Sequence, residues 1–270
     1  MSIKIGITGH SGSLGKEIAK SKFGFNYSFF KGDVRSKNKI LKWIEGENLD
    51  AIIHLAAIVP IKIVNNNQKK AYDVNYKGTK NIIDVVKKNK IKWIFFASTS
   101  HVYLSSKKKI HEKSEIRPIS YYGKTKLLAE NYIIKKLKDS ETTYCIGRIF
   151  STTNKSQKNN YLVPDLKRKI KRTNKKIILY NLDHYRDFIS MADISKIIFC
   201  LYKKNFKGII NIGTGKSTLL KEIAKIICKK YNKKYEFKDN KKDTYLVANN
   251  NKLKKIYKLN IQQNIESIIF

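Results

Sequence analysis

In SYYGKTKLLAE, Ser120 to Glu130, a tyrosine stands four residues ahead of a lysine at the start of a predicted helix. Residues four apart share a helix face. The Lys126 ammonium is therefore placed to favour the Tyr122 phenolate and lower its pKa, as a nearby opposite charge does. A tyrosine tuned in this way carries a proton at neutral pH, which suits a hydride leaving or joining a carbinol carbon while the hydroxyl proton moves the other way. Tyr121 lies four residues from Thr125 instead and is expected to be a packing or substrate-wall residue. The spacing alone is common on ordinary surface helices, so the surroundings must decide. A second chemistry-bearing run, STSHVY from Ser98 to Tyr103, follows the apolar stretch Ile91–Ala97. There His101 is either a group that moves a proton near neutral pH or a loop residue bonded to backbone.

These residues need elements to hold them. The chain starts with an apolar run, IKIGIT (Ile3 to Thr8), followed at once by GHSGSLGKEIA (Gly9 to Ala19), which reads as strand, glycine turn and helix. Gly9, Gly12 and Gly15 allow a tight turn, close approach of backbone to a pyrophosphate, and close packing of helix on strand. The helix N-terminus then faces the phosphates. A second strand, Asn26–Phe30, leads to Lys31, Asp33 and Arg35, near the place where dinucleotide folds hold the adenosine ribose. Helical spacing at Ile40, Leu41 and Ile44 precedes a third strand ending in HLAA, His54 to Ala57, whose small residues let a flat cofactor lie against the strand end. Val74–Lys87 reads as a helix with its apolar face at Ile82, Ile83, Val85 and Val86; Ile91–Ala97 and Thr143–Phe150 read as buried strands. This alternation predicts an α/β protein with a doubly wound parallel Rossmann sheet. Ligands of such sheets bind outside the carboxyl ends of the strands, where Ser98–Tyr103 hangs.

Beyond Ser151 the pattern loosens into a basic helix around Leu162–Lys171, a strand at Ile177–Tyr180, the stretch YRDFISMADI and a helix to about Tyr202. A last strand, Ile209–Ile212, precedes a turn and helix over Gly213–Ile227. Gly215, Lys216 and Ser217 mimic the end of a P-loop, but its first glycine would stand at position 210, which is Ile210. The expected organisation is a dinucleotide-binding domain over 1–150 plus about 188–215, and a small C-terminal substrate lobe over about 151–187 plus 216–270.

The formal charge is +36, yet only six of the 57 basic residues are arginine, the type preferred for bidentate phosphate and base recognition. The lysines are spread along the chain among Asn, Ile, Tyr and Phe, as codon bias towards A and T produces. A nucleic-acid partner is therefore not expected, although the field helps draw in an anionic substrate. Cys145, Cys200 and Cys228 form no paired or metal-ligand spacing, and no metal is expected. No stretch is apolar enough to span a membrane. The start of the chain lacks a secretory pattern, so a cytoplasmic location is expected.

Together, the glycine turn Gly9–Gly15, GDVR at Gly32–Arg35, HLAA at His54–Ala57, VNYKGT at Val74–Thr79, STSHVY, PISYYGKTKLLAE at Pro118–Glu130, RDFISMADI at Arg186–Ile194 and NIGTG at Asn211–Gly215 resemble one family. It is the extended short-chain dehydrogenases/reductases, the NAD-dependent epimerase/dehydratase family of nucleotide-sugar enzymes. The resemblance implies a catalytic set of Thr99, Tyr122 and Lys126, with Thr99 holding the substrate hydroxyl and Lys126 also binding the nicotinamide ribose. It implies cofactor contacts from Gly9, Ser11, Gly12, Ser13, Leu14, Gly15, Lys31, Asp33, Val34, Leu55, Ala56, Ala57, Asn75, Tyr122 and Lys126. On the substrate side it implies Ser100, His101, Ser151 and Arg186, the arginine meeting the diphosphate. Ser151 stands where members usually carry Asn, and Ser100 and His101 stand where dehydratases carry two acids, which argues against a standard 4,6-dehydratase. The short segment before GDVR is similar to the 4-dehydrorhamnose reductase branch.

The expected activity is hydride transfer between NAD(P) and a carbon, carbon 4, of a nucleotide-linked sugar, leaning to a 4-keto-sugar reductase and acting as a possible homodimer. An epimerase or dehydratase with tightly bound NAD is the alternative. A non-catalytic dinucleotide sensor or RNA-associated protein is the rival from another class. At the end of the second strand Lys31 stands where NAD users place a carboxylate, so NADP is favoured over NAD.

Overall fold

Alternating apolar runs and amphipathic segments build the first half of the chain. In order they are β1 (Lys4–Thr8), α1 (Ser13–Lys20), β2 (Asn26–Phe29), α2 (Lys37–Glu47), β3 (Ala51–His54), α3 (Ile61–Asn66), α4 (Gln68–Tyr72), α5 (Gly78–Lys88), β4 (Trp93–Thr99), α6 (Tyr121–Leu137) and β5 (Thr143–Ile149). This computed structural model describes residues 3–21, 23–154, 157, 160–173, 176–238, 243–258 and 265–270. They group into two compact units, one of Met1–Leu104, Glu115–Ile149 and Met191–Ile210, the other of Ser105–Ser114, Phe150–Ser190 and Asn211–Phe270.

In the first unit the sheet order is β2, β1, β3, β4, β5 and then the strand Gly208–Ile212, of which Gly208, Ile209 and Ile210 belong to this unit. The pairs β1 with β2, β1 with β3, β3 with β4, and β4 with β5 are all parallel. Ile5, Ile7, Ile52, Ile53 and Phe95 are fully buried because helices cover both faces, which is why these strands read as continuous apolar runs. Ile40 and Ile44 of α2, Ile82 and Val86 of α5, and Ala129 and Ile133 of α6 pack together with Ile52, Ile94 and Ile146. Each such Ile or Val side chain contributes roughly 1.5–3 kcal/mol relative to exposure. An exposed pair such as Lys4–Glu47 contributes about 0–1 kcal/mol, so apolar burial dominates. Strand order reverses between β1 and β3, the switch point at which open α/β sheets bind ligands.

The expected helix from Val74 is not uniform. Asp73–Lys77 forms a π-helical turn before α5 begins. Ser98 and Thr99 belong to β4 rather than to the loop after it, and Ser100–Val102 is a 3₁₀ turn. The helices α3 and α4 have no counterpart in the sequence reading.

In the second unit, Thr218–Leu219, His184–Arg186 and Thr244–Leu246 form a three-stranded sheet, and Tyr235–Lys238 pairs with Ile177–Tyr180. The helices Leu162–Arg172 and Leu220–Lys230 bury Ile170, Ile223, Ala224 and Ile227 in their own core. This unit also takes Ser105–Ser114, Phe188–Ser190 and 211–215, which the expected boundaries assign to the dinucleotide domain. Ile110 explains the first of these: its N–H donates to Val247 O (2.8 Å), and its carbonyl accepts from Asn249 N (2.7 Å) and Asn211 Nδ2 (2.9 Å).

Candidate active site

The turn after β1 has room only for glycine. Gly9 has φ +73°, and a Cβ there would stand 2.6 Å from Ala56 N. A Cβ on Gly15 would stand 2.5 Å from Gly9 O, while Gly12 N donates to that same carbonyl at 3.0 Å. The α1 N-cap is Gly12, with no side-chain cap bond and no acid in the first turn. Its N–H groups and positive helix end are thereby left to an anion. Ser11 is exposed, Ser13 and Leu14 are half-buried, and Leu55, Ala56 and Ala57 are half-buried beside the turn. The cradle fits a dinucleotide pyrophosphate.

A buried chain of hydrogen bonds ties this turn to the π-helical segment. Thr79 Oγ1 donates to Asn75 O (2.7 Å) and therefore accepts from His54 Nε2 (2.9 Å); His54 Nδ1 then accepts from Thr8 Oγ1 (2.6 Å). Burial, with the Lys126 charge adding to it, pushes the His54 pKa down to about 3, so the ring is neutral. Asn75, fully buried, accepts from Ile58 N (2.7 Å) and donates to Ile58 O (3.0 Å) and Thr125 Oγ1 (3.2 Å). The expected cofactor contact of Asn75 is thus accompanied by a clamp on the chain after β3 and on α6.

Ser120 caps α6 by accepting from Gly123 N at 3.1 Å. Gly123 is pressed against the His101 carbonyl, so no Cβ fits between α6 and the 3₁₀ turn. Tyr122 and Lys126 are 7% and 2% exposed, and Thr99, at the end of β4, is 5% exposed. Thr99 Oγ1 accepts from His101 N at 3.2 Å, and the His101 ring meets the Tyr122 ring edge-on at 6.1 Å. The Lys126 ammonium lies 3.9 Å from the centre of the Phe96 ring. Burial lowers its pKa to about 7, against the pull of Glu130 in the other direction. Ser100 is buried beside Thr99. The first unit therefore brings together Thr99, Ser100, His101, Tyr122 and Lys126.

The residues after β2 are placed differently. Lys31, Asp33 and Arg35 are exposed. The Asp33 carboxylate accepts from Arg35 N (2.9 Å), Nε (2.9 Å) and NH2 (2.6 Å), which holds its pKa below the usual value. Val34 is buried in the core, where a Cβ on Gly78 would come within 2.6 Å of its Cγ2. The Val34 side chain packs in the core.

Ser151 and Arg186 belong to the second unit. Ser151 is half-buried in the short strand Ser151–Thr152, paired with Phe188–Ile189. Arg186 NH1 donates to Tyr185 O (2.8 Å) and Thr244 O (3.0 Å), and NH2 donates to Thr244 Oγ1 (2.9 Å). Burial lowers its pKa to about 10, so it stays charged at neutral pH. The sequence reading missed its neighbour Asp187. This fully buried carboxylate accepts from Thr214 N (2.8 Å), Thr214 Oγ1 (2.6 Å), Gly215 N (2.8 Å) and Ala248 N (3.1 Å). Burial raises its pKa and these donors partly offset the rise. The signal was present, because RDFISMADI and NIGTG each contribute one side of the hub.

A family profile described as GDP-mannose 4,6 dehydratase matches residues 8–265. The chain belongs to the extended short-chain dehydrogenases/reductases, in the NAD-dependent epimerase/dehydratase family. It is 30% identical over 249 residues to GDP-6-deoxy-D-talose 4-dehydrogenase of Aggregatibacter actinomycetemcomitans, covering 88% of this chain and 83% of the relative. It is 26% identical to a putative UDP-glucose 4-epimerase of Methanocaldococcus jannaschii, covering 82% and 80% of the two chains. Among solved structures, RMD from Pseudomonas aeruginosa complexed with NADPH matches with a TM-score of 0.89 at 18% identity, over 99% of this chain and 96% of that one. UDP-glucose 4-epimerase of Thermus thermophilus in complex with NAD matches with a TM-score of 0.85 at 18% identity, over 99% and 98%. These confirm the Rossmann fold, and the chain is an oxidoreductase-family enzyme. Among the described residues no helix is long and apolar enough to cross a membrane.

Proposed function

We propose that the protein uses NAD(P) to transfer a hydride at carbon 4 of a nucleotide-linked sugar, as a reductase of the 4-keto sugar. The observation that carries this reading is the near-complete burial of Tyr122 and Lys126 on α6, together with that of Thr99 at the end of β4. The names of the relatives, a 4-dehydrogenase and a 4-epimerase, support carbon 4 as the reacting position. The bound nicotinamide ring supplies the hydride. Tyr122 donates its phenolic proton to the carbonyl oxygen as that oxygen becomes a hydroxyl, and Thr99 Oγ1 holds the same oxygen in line by a hydrogen bond. Lys126 stabilises the phenolate left behind. Low exposure excludes water, which strengthens both interactions. Arg186, charged at neutral pH, is assigned to the diphosphate as a bidentate donor. Lys31 is assigned to the additional phosphate of NADP as a point charge.

The test is to incubate the enzyme with nucleoside diphosphate 4-keto sugars and either reduced cofactor. The expected result is one equivalent of NADPH consumed per reduced sugar formed, identified by mass. Interconversion of sugars with no cofactor consumed, by enzyme that purifies with bound NAD, would overturn the reductase in favour of the epimerase.

A further inference from the structure

Tyr122, Lys126 and Glu130 follow one another at successive turns along one face of α6, and only the first two have a part in the reaction proposed above. Glu130 is 1% exposed. It accepts a short hydrogen bond from Ser98 Oγ on β4 and is bound by Arg148 of β5 through Nε (3.1 and 3.2 Å) and NH2 (2.7 Å). Ser98 and Arg148 are register partners in the sheet, and Ser98 directly precedes Thr99. Arg148 in turn lies 4.7 Å from the centre of the Tyr103 ring, on the far side of the 3₁₀ turn. Burial works against the Arg148 charge and the Glu130 carboxylate, with Tyr103, more than offsets it, so the guanidinium stays charged.

A buried ion pair is a costly way to join a helix to a sheet. Desolvation consumes most of its Coulomb energy, and apolar residues of similar volume are often as stable. What apolar residues would not supply is a fixed charge at a fixed place. We propose that Glu130, held by Arg148 and Ser98, is a positioning residue that fixes the Tyr122 and Lys126 helix against the strand carrying Thr99 and sets a negative charge against the Lys126 ammonium. This rests on the proton-transfer reading of Tyr122 and Lys126 given above.

Among the described residues, Glu130 is the carboxylate whose charge acts on Lys126. From α6 come Tyr122 and Glu130, from β4 the Phe96 face, and from β3 the neutral His54. Arg148 stands behind Glu130, and His101 lies against Tyr122. Burial takes Lys126 down to about 7 and Glu130 opposes that fall. Without the carboxylate the ammonium gives up its proton at lower pH, and at neutral pH the Tyr122 phenolate loses its cationic partner.

The experiment compares wild type, Glu130→Gln and Glu130→Asp. Tyr122 ionisation is read from phenolate absorbance, each protein minus its Tyr122→Phe counterpart, and needs no substrate. The pH profile of kcat/KM is measured beside it. In Glu130→Gln the Tyr122 titration is expected to move to higher pH, and the alkaline limb of kcat/KM to lower pH, each by about one unit or more. Glu130→Asp, which keeps the charge, returns both midpoints towards wild type even if the rate stays reduced. Lower activity in Glu130→Gln with both midpoints unmoved would overturn the proposal and leave Glu130 a packing residue. Should Glu130→Gln fail to fold, Glu130→Gln with Arg148→Gln removes the stranded guanidinium and is read for shifts of the same sign but smaller size, since the lost positive charge partly offsets the lost carboxylate. Failure of the proton-transfer reading shows up separately, as full activity in Tyr122→Phe.

Discussion

The carboxyl ends of β4 and β2 both carry residues that the sequence nominates for function, and their surroundings differ. At the end of β4, Thr99, Tyr122 and Lys126 are almost fully buried, with Asn75, His54, Glu130 and Arg148 fixed behind them. At the end of β2, Lys31, Asp33 and Arg35 stand in solvent and the acid is occupied by its own neighbour. Burial makes a charge strong and its pKa movable. Exposure makes it weak, screened and easily replaced. The first region should therefore govern rate and stability, and the second only the choice between two similar cofactors.

The largest effect belongs to the buried tyrosine. Tyr122→Phe should lower kcat by about 10²–10⁴-fold with cofactor affinity retained, which titration calorimetry and steady-state rates separate. Tyr121→Phe should stay within a few-fold of wild type; the opposite pattern would show that the helix register is misread.

Lys126→Met sharpens the same contrast, because it should lose activity and gain stability. The folded pKa of Lys126 is about 7, against 10.5 for the ordinary side chain. Between these values the unfolded chain binds a proton that the folded protein does not, so this group makes wild-type stability rise with pH. Below pH 7 the penalty of burying the charge is fully present. Melting curves should therefore show Lys126→Met above wild type at pH 6, with the gap closing as pH rises towards 10. A gap independent of pH would mean that Lys126 is not a strained charge.

Asn75→Ala strands the N–H and carbonyl of Ile58 and should cost roughly 1–3 kcal/mol in denaturant unfolding. A loss below about 0.5 kcal/mol would mean that the clamp is not structural.

The smallest effect is expected after β2. Lys31→Glu should shift the ratio of the NADP and NAD dissociation constants towards NAD by less than about 10-fold, since the group is exposed. A native preference for NAD, with the ratio unchanged in the variant, would show that Lys31 does not read the cofactor.

The contrast also separates what local sequence reveals from what it hides. The parallel strands, the glycine turn and the apolar face of α5 are properties of adjacent residues, and their spacing made them legible. The π-helical turn was hidden because one extra residue per turn leaves the apolar pattern of Ile82–Val86 unchanged, and the bond that Asn75 within it makes to Ile58 spans 17 residues. Ile61–Tyr72, rich in Lys and Asn, carries too few apolar residues to show a helical period. The bonds from Glu130 to Arg148 and from Asp187 to Thr214 join elements 18 and 27 residues apart, and no spacing rule pairs them.

The most direct measurement follows the hydride itself. A single turnover with NADPH carrying deuterium at the transferable position of its nicotinamide, and a nucleoside diphosphate 4-keto sugar, is analysed by mass spectrometry and NMR. The account predicts one deuterium at carbon 4 of the product from wild type and a burst reduced by orders of magnitude in Tyr122→Phe. Reduced sugar without deuterium at carbon 4, or equal bursts from the two proteins, would contradict it.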